Sequence, residues 1–337
     1  MVRIQLSLEL NYLVAHPGAD FIFNIHASHT RSQTVVDERL QLSQAVPHDL
    51  DTDAVTGNRT LRLSAAPGPL KLNYDATVDL NHHVANPPQI AEVPVARLPA
   101  SVLPYVYPSR YCQSDRLGRL AIREFGGLWQ GYSRVQAIRD WVNQRVAFTP
   151  NSTNSATSAA DTLLERVGVC RDFAHLMIAL CRAVNIPARF TTGFDYGADP
   201  ALGPPDFHAY VEAYLGDRWY LFDPSGTAIP MGFVRLATGR DAADVAFATI
   251  FGTVQSPPPI IQVQAIGDLA RQFELPRHRV EALSTDDGLP HDHRPPSLSG
   301  SSATQALTGV SVQASQSVQQ VPPLQAVASA TNTPQRA

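Results

Sequence analysis

Along residues 2–83 apolar and polar side chains alternate with a period of two. Ile4, Leu6, Leu8 and Leu10 share one side of such a strand, Phe21, Phe23 and Ile25 one side of another, and Leu61, Leu63, Leu70, Leu72 and Tyr74 continue the series. Successive side chains of a strand point to opposite faces, so this alternation predicts half-buried strands. The sets His16-Pro17-Gly18, Thr56-Gly57-Asn58 and Pro67-Gly68-Pro69 supply the turns between them. The reading is an N-terminal antiparallel β domain over 1–95. Asn86-Pro87-Pro88, Pro94, Pro99, Pro104 and Pro108 then mark an extended connector, 96–113, because each proline biases its predecessor away from helix.

From Ser114 the period shifts towards 3.6. Ser114 is a candidate cap for a helix over 115–125 that Gly126-Gly127 ends, and Ser133 for one over 134–145 whose stripe is Val135, Ile138, Trp141 and Val142. Ser158 is placed to cap 159–166, with Gly168 just past its end. Residues 170–185 form a fourth helix, apolar at Phe173, Leu176, Met177, Leu180 and Val184, and Pro187 forces the chain out of it. Strands follow at 189–194, 207–215 and 218–222, with Gly216-Asp217 as the hairpin turn of the last two. Helices first and antiparallel strands after give an α+β class for a core over 114–275. Residues 286–337 are rich in Ser, Gln, Ala, Thr, Pro and Gly, a composition too poor in large apolar groups to offset chain entropy, and read as a disordered tail. His291-Asp292-His293 within it is a solvated pair rather than a metal site.

Composition narrows the function. A chain of 337 residues with a net charge of −4 has no basic footprint, so nucleic acid is not an expected partner. The N-terminus alternates and holds no signal-like apolar block, and no run approaches the roughly 18 apolar residues of a membrane span, so no membrane partner and a cytoplasmic location are expected. Lys71 is the only lysine, leaving 25 of the 26 basic residues as arginine; the protein is a poor amine donor towards itself. Three cysteines, Cys112, Cys170 and Cys181, are too few and odd in number for a disulfide framework.

Chemistry concentrates at Gly168-Val169-Cys170-Arg171-Asp172-Phe173-Ala174-His175-Leu176. A thiol attacks as its thiolate, and a helix start favours the anion through the helix dipole and free N–H groups. The same N–H groups can face the oxyanion formed when sulfur adds to a carbonyl. His208, on a strand face shared with Tyr210 and Glu212, is placed to project into a cleft as the base, and Asp223, at the end of the next strand before Pro224, to hold the imidazole. Asp172 in the first helical turn and His175 around the helix read as supports; Cys181 reads as core, and Cys112 as buried or a bystander.

Four ordered stretches carry a resemblance: Gly-Val-Cys-Arg-Asp-Phe-Ala-His-Leu; Asn185-Ile186-Pro187-Ala188-Arg189 with Thr192-Gly193-Phe194; Phe207-His208-Ala209-Tyr210-Val211-Glu212; and Trp219-Tyr220-Leu221-Phe222-Asp223-Pro224. Together with Pro108–Asp115 they resemble the transglutaminase-like superfamily, specifically bacterial members with an N-terminal β domain, a group that includes cysteine proteases. The resemblance spans roughly 1–255 and implies a papain-like core with Cys170, His208 and Asp223 as triad, and no metal or cofactor. Phe148 stands where relatives often carry Tyr, which leaves the second oxyanion donor to the weak candidates Trp141 and Gln144. The implied activity is acyl transfer from a protein or peptide amide through a Cys170 thioester; the alternative is hydrolysis or proteolysis by the same triad. A non-catalytic peptide-binding module is disfavoured because Cys, His and Asp are all retained.

Overall fold

The structure, a computed structural model, describes residues 1–198, 201 and 205–286. The expected tail lies outside the described residues except for Asp286. Among the described residues no helix is long and apolar enough to cross a membrane.

The alternating N-terminal pattern folds as two facing antiparallel sheets. Val2–Val14 and Gly68–Leu80 pair along their whole length, with Leu8 opposite Tyr74, and Gln33–Leu42 lies beside the second. Ala19–Phe23, Arg59–Ala65 and His48–Thr52 make the other sheet. Their inward residues, including Ile4, Leu8, Phe21, Phe23, Leu63 and Tyr74, form one buried cluster. This is the two-layer solution for strands that are apolar on one face.

Strands cross between the two regions of the chain. Ile260–Ile266 pairs with Val2–Val14 on the edge opposite Gly68–Leu80, and Ala248–Phe251 pairs with Ala19–Phe23. The chain therefore returns to the N-terminal sheets well before residue 275. An uncovered edge strand is a site for stray pairing, and the short alternation Ile261, Val263, Ala265 closes this one. In exchange, His83–Ala85 joins the far end of the second domain's sheet by pairing with Ala282–Asp286. The connector is not extended. The proline-rich stretch makes single 3₁₀ turns at Pro87–Gln89, Val95–Arg97 and Leu103–Tyr105; Pro87 opens the first, where its fixed φ suits the first position of a turn, and Pro104 is the second residue of the third. Val93, Leu98, Val102 and Tyr105 pack there on Tyr214 and Trp219.

The second domain is α+β. Four helices, α1 (Ser114–Phe125), α2 (Tyr132–Arg145), α3 (Ala159–Glu165) and α4 (Cys170–Ala183), precede most of the sheet. The sheet runs in the order Val234–Gly239, Ala188–Phe194, Phe207–Leu215, Arg218–Phe222, Ala282–Asp286, His83–Ala85, all antiparallel. Ser158 caps α3 with a reciprocal contact to Asp161, as its position predicts. The first two caps differ: Ser114 lies inside α1, and α2 starts after Gly131 rather than Ser133. Gly131 has φ +152°, and a Cβ there would sit 2.6 Å from the Ile90 carbonyl oxygen, so only glycine allows this approach. The α3 C-cap is Arg166 rather than a glycine. Gly168 answers a different demand: a Cβ would lie 2.8 Å from the Asp172 Cβ.

Helix α4 is buried along nearly its whole length, packed by Phe173, Leu176, Met177 and Leu180 against Phe190, Ala209 and Val211 of the sheet. The sheet's opposite face meets the first domain. The outer edge of Val234–Gly239 is closed by amide side chains in place of a strand. Gln33 donates to the Arg235 carbonyl and accepts from its N–H, both at 2.8 Å, and Asn58 does the same for Thr238, also at 2.8 Å. Ser28 adds an N–H to the Arg235 carbonyl at 3.0 Å.

Candidate active site

Cys170 opens α4, where the first helical N–H groups lack partners within the helix. The loop leading into it is stapled by Asp172, which is fully buried. Its carboxylate accepts from the Val169 N–H at 3.0 Å and the Thr153 hydroxyl at 2.6 Å, and from Arg171 at 2.9 and 3.1 Å. Arg171 also reaches the Asn154 carbonyl at 2.9 Å. The segment 153–154 is thereby fixed beside the helix start, and the Cys170 side chain stays partly exposed while Cys112 and Cys181 are buried. Burial pushes the Cys112 thiol up to about 12 and raises that of Cys181 as well.

The Cys170 Sγ lies 3.9 Å from the Phe207 carbonyl oxygen, to which the thiol can donate. Phe207 is itself clamped, stacked on Phe247 with ring centres 4.3 Å apart. The Phe247 carbonyl takes the Asn24 N–H at 3.1 Å, a link from the first domain to the residue beside the sulfur.

His208 follows Phe207. It does not project into an open cleft: it is 4% exposed, with the Phe233 ring 4.9 Å from its own. Ala228 and Phe233, from the segment before Val234–Gly239, pack with Tyr210 and Leu221 on the face that alternation assigns to polar residues, so the imidazole is enclosed. Its Nε2 lies 3.5 Å from Asp223 Oδ1, and its Nδ1 lies 3.4 Å from Asp195 Oδ2. Burial alone would lower the His208 pKa, but the Asp223 carboxylate and the Cys170 sulfur hold it well above the usual imidazole range. Asp223 shows the converse. Burial pushes its carboxyl up, and His208 and Ser225 outweigh that and hold it below the ordinary carboxylate range. The Ser225 hydroxyl and N–H donate to Asp223 Oδ1 at 2.6 and 3.0 Å. At 3.5 Å the His208–Asp223 contact is an ion pair longer than a formed hydrogen bond, a looseness common in unliganded sites.

The structure thus brings Cys170, His208 and Asp223 to one place. It does not bring the two candidate oxyanion donors there. The Trp141 indole N–H donates to Glu124 at 3.3 Å, with its ring edge-on to Phe125 and under the Arg145 guanidinium, and Gln144 is exposed on α2. Their neighbour Asn143 is the residue that reaches the site's rim, donating to the carbonyls of Pro224 at 3.1 Å and Ser225 at 3.0 Å directly after Asp223. His175 supports the fold from inside. Its Nε2 accepts from the Ala242 N–H at 3.1 Å, and its ring stacks on Tyr111 and leans on Phe190. Burial pushes its pKa down to about 3, so it stays neutral.

Asp195 and Asn143 were not legible as site residues. The place of Asp195 follows from the register: Gly193 pairs with His208 across the sheet, and Asp195 is the first carboxylate past that position. Asn143 sits one residue from Gln144 on α2, and only the packing of α2 on the 224–225 turn distinguishes the two. Among the described residues no group of three or more His, Cys, Asp or Glu side chains is disposed to hold a metal ion.

Comparison with known proteins is consistent with this arrangement. Residues 121–224 match the family model of the transglutaminase-like superfamily, and residues 2–101 match that of the bacterial transglutaminase N-terminal domain. A solved structure of a candidate cysteine protease from Cytophaga hutchinsonii is 41% identical, with a TM-score of 0.76 over 84% of this chain and 97% of that one. An uncharacterized protein of Mycobacterium leprae is 32% identical over 117 residues, 33% of this chain and 42% of that protein. The uncharacterized protein YebA of Bacillus subtilis is 24% identical over 231 residues, 61% of this chain and 30% of its own length. The chain spans less than half the length of these curated relatives.

Proposed function

The chain belongs to the transglutaminase-like superfamily, and from that premise we propose that it is a cysteine-dependent acyl-transfer enzyme acting on protein or peptide amides. The observation that carries the reading is the meeting of a partly exposed thiol at a helix start with a buried imidazole that is itself paired to a carboxylate. The Cys170 sulfur, as thiolate, adds to the amide carbonyl carbon, and the free N–H groups at the start of α4 face the oxyanion. Collapse of the adduct breaks the C–N bond, and the departing ammonia or amine takes a proton from His208. The thioester is then opened by an amine or water whose proton passes to His208, while Asp223 steadies the imidazolium.

A second reading, amide hydrolysis or peptide cleavage by the same three residues, is favoured by one observation: the relative from Cytophaga hutchinsonii, 41% identical, is described as a candidate cysteine protease. One experiment separates the two. The protein and its Cys170→Ser variant are incubated with a glutamine peptide, with and without a primary amine, and the peptide is followed by mass. An amine adduct supports transfer. A deamidation mass shift or backbone fragments support hydrolysis. Identical spectra from the wild type and Cys170→Ser across a peptide panel contradict both.

A further inference from the structure

His208 has two ring nitrogens, and both are accounted for by carboxylates. Nε2 faces Asp223 Oδ1 at 3.5 Å, so Nδ1 is the nitrogen left to serve the Cys170 sulfur. Asp195 Oδ2 lies 3.4 Å from that same Nδ1, with its side chain only 10% exposed. We propose that Asp195 is a second carboxylate partner of His208, set on the reactive nitrogen, so that the imidazole is held between two carboxylates and remains an imidazolium to higher pH than one carboxylate would sustain. This rests on the reading of Cys170 and His208 as a working pair, and extends it by one positioning residue.

Asp195 follows directly on the strand Ala188–Phe194, and that strand's Gly193 pairs with His208, so the sheet register itself delivers its carboxylate to the ring. The groups facing His208 are few. Cys170 comes from α4, Asp195 and Asp223 from the ends of the two flanking strands, and the stacked Tyr210 phenol from its own strand. From the segment before Val234–Gly239 comes the uncharged ring of Phe233. Arg235 on that strand is turned towards Glu212 and Asp286, at 3.5 and 3.6 Å. No cation therefore competes with His208 for Asp195 among these groups. The Asp195 carboxyl is pushed up by burial, opposed by His208, and pushed further by Asp223 and Asp206. Its anion is sustained by the imidazolium, and the two charges support each other.

The arrangement makes a directional prediction. Removing a negative charge beside an imidazolium lets the ring lose its proton at lower pH, by roughly 1–3 pH units for an opposite charge within about 4–6 Å. The probe is iodoacetate, an anionic alkylating reagent that the imidazolium attracts, so its rate at Cys170 falls when His208 deprotonates. In the wild type the rate should rise and then fall with pH. Asp195→Asn should move the falling limb down by about one pH unit, Asp195→Ser should do the same without an amide in place, and Asp195→Glu should restore the limb. A falling limb that coincides in the wild type, Asp195→Asn and Asp195→Ser overturns the role of Asp195 and leaves the Cys170–His208 pair standing. A wild-type rate with no falling limb, unchanged in His208→Ala, overturns the pair, and the proposal with it.

Discussion

The strands Val2–Val14 and Phe207–Leu215 are both central strands of antiparallel sheets, and both alternate polar and apolar residues, yet they meet opposite fates. In the first, every second residue from Val2 to Val14 is buried and the intervening Arg3, Gln5, Ser7 and Glu9 keep contact with solvent. In the second, every residue after Phe207 is buried, because α4 covers one face and the first domain with the connector covers the other. Polar side chains on that second face must find partners inside the protein. Glu212 takes Arg189 at 2.7 Å and the Thr285 hydroxyl, Asp286 takes Arg189 at 3.1 Å, and Arg235 lies near both carboxylates. His208, on the same face, takes Asp223 and Asp195. A polar residue in an alternating strand thus signals solvent only where the second face is free; where it is covered, as at His208 and Glu212, the same residue signals a buried charged partner. The candidate chemistry of this molecule sits on the covered face.

If chemistry belongs to the covered sheet and the first domain contributes mainly burial, substitutions in the two regions should separate function from stability. The largest effect is expected at Asp223. Asp223→Asn should lower amide turnover by roughly 10³–10⁴-fold, because the tautomer and orientation of His208 are no longer held, with little change in the urea midpoint. Leu8→Ala, in the first domain where Leu8 lies opposite Tyr74 and Ile261, should cost about 2–5 kcal/mol of stability. Cys170 reactivity per folded molecule should nonetheless be unchanged. A loss of reactivity in folded Leu8→Ala would show that the first domain does more than bury the sheet.

The next effect is pH-dependent and sits behind the sheet. An unfolded imidazole takes a proton near pH ~6.5, but His175 in the fold does so only at about 3. Between those values the unfolded chain binds more protons, so stability falls as pH falls through the window. His175→Phe keeps the stack on Tyr111 but leaves the Ala242 N–H without its acceptor. It should lose about 1–3 kcal/mol near neutral pH and show a shallower decline towards acid, read from urea midpoints at several pH values. The smallest effect is expected where the regions join. Asn58→Ala removes two hydrogen bonds to Thr238 and should cost about 1 kcal/mol, with faster hydrogen exchange at the Thr238 amide.

The same contrast explains what was legible in the sequence. Ile4, Leu6, Leu8 and Leu10 could be assigned to a core because alternation alone decides burial when one face is wet. The motif around Cys170 and its ordered partners could be put forward as a candidate site because residue type and order carry that chemistry. The return of Ile260–Ile266 to the first domain was not readable, since a seven-residue strand does not say which edge it will close. Asp195 and Asn143 were missed for a related reason: their roles are set by cross-strand register and by helix packing on a turn, neither of which leaves a local mark. Gly168 reads from its position as the residue just past a helix end, whereas what it relieves is crowding with Asp172.

Activation of the Cys170 nucleophile by His208 is the step on which the proposed chemistry depends. Its most direct test is the rate of iodoacetamide alkylation at Cys170, relative to a free small-molecule thiol, from about pH 5 to pH 9, a range spanning the ordinary imidazole and thiol values, in the wild type and His208→Ala. Wild-type Cys170 should outpace the free thiol at the acid end and His208→Ala should remove this advantage, while buried Cys112 and Cys181 stay slow throughout. A wild-type Cys170 that follows the free thiol across the whole range, with or without His208, would contradict it.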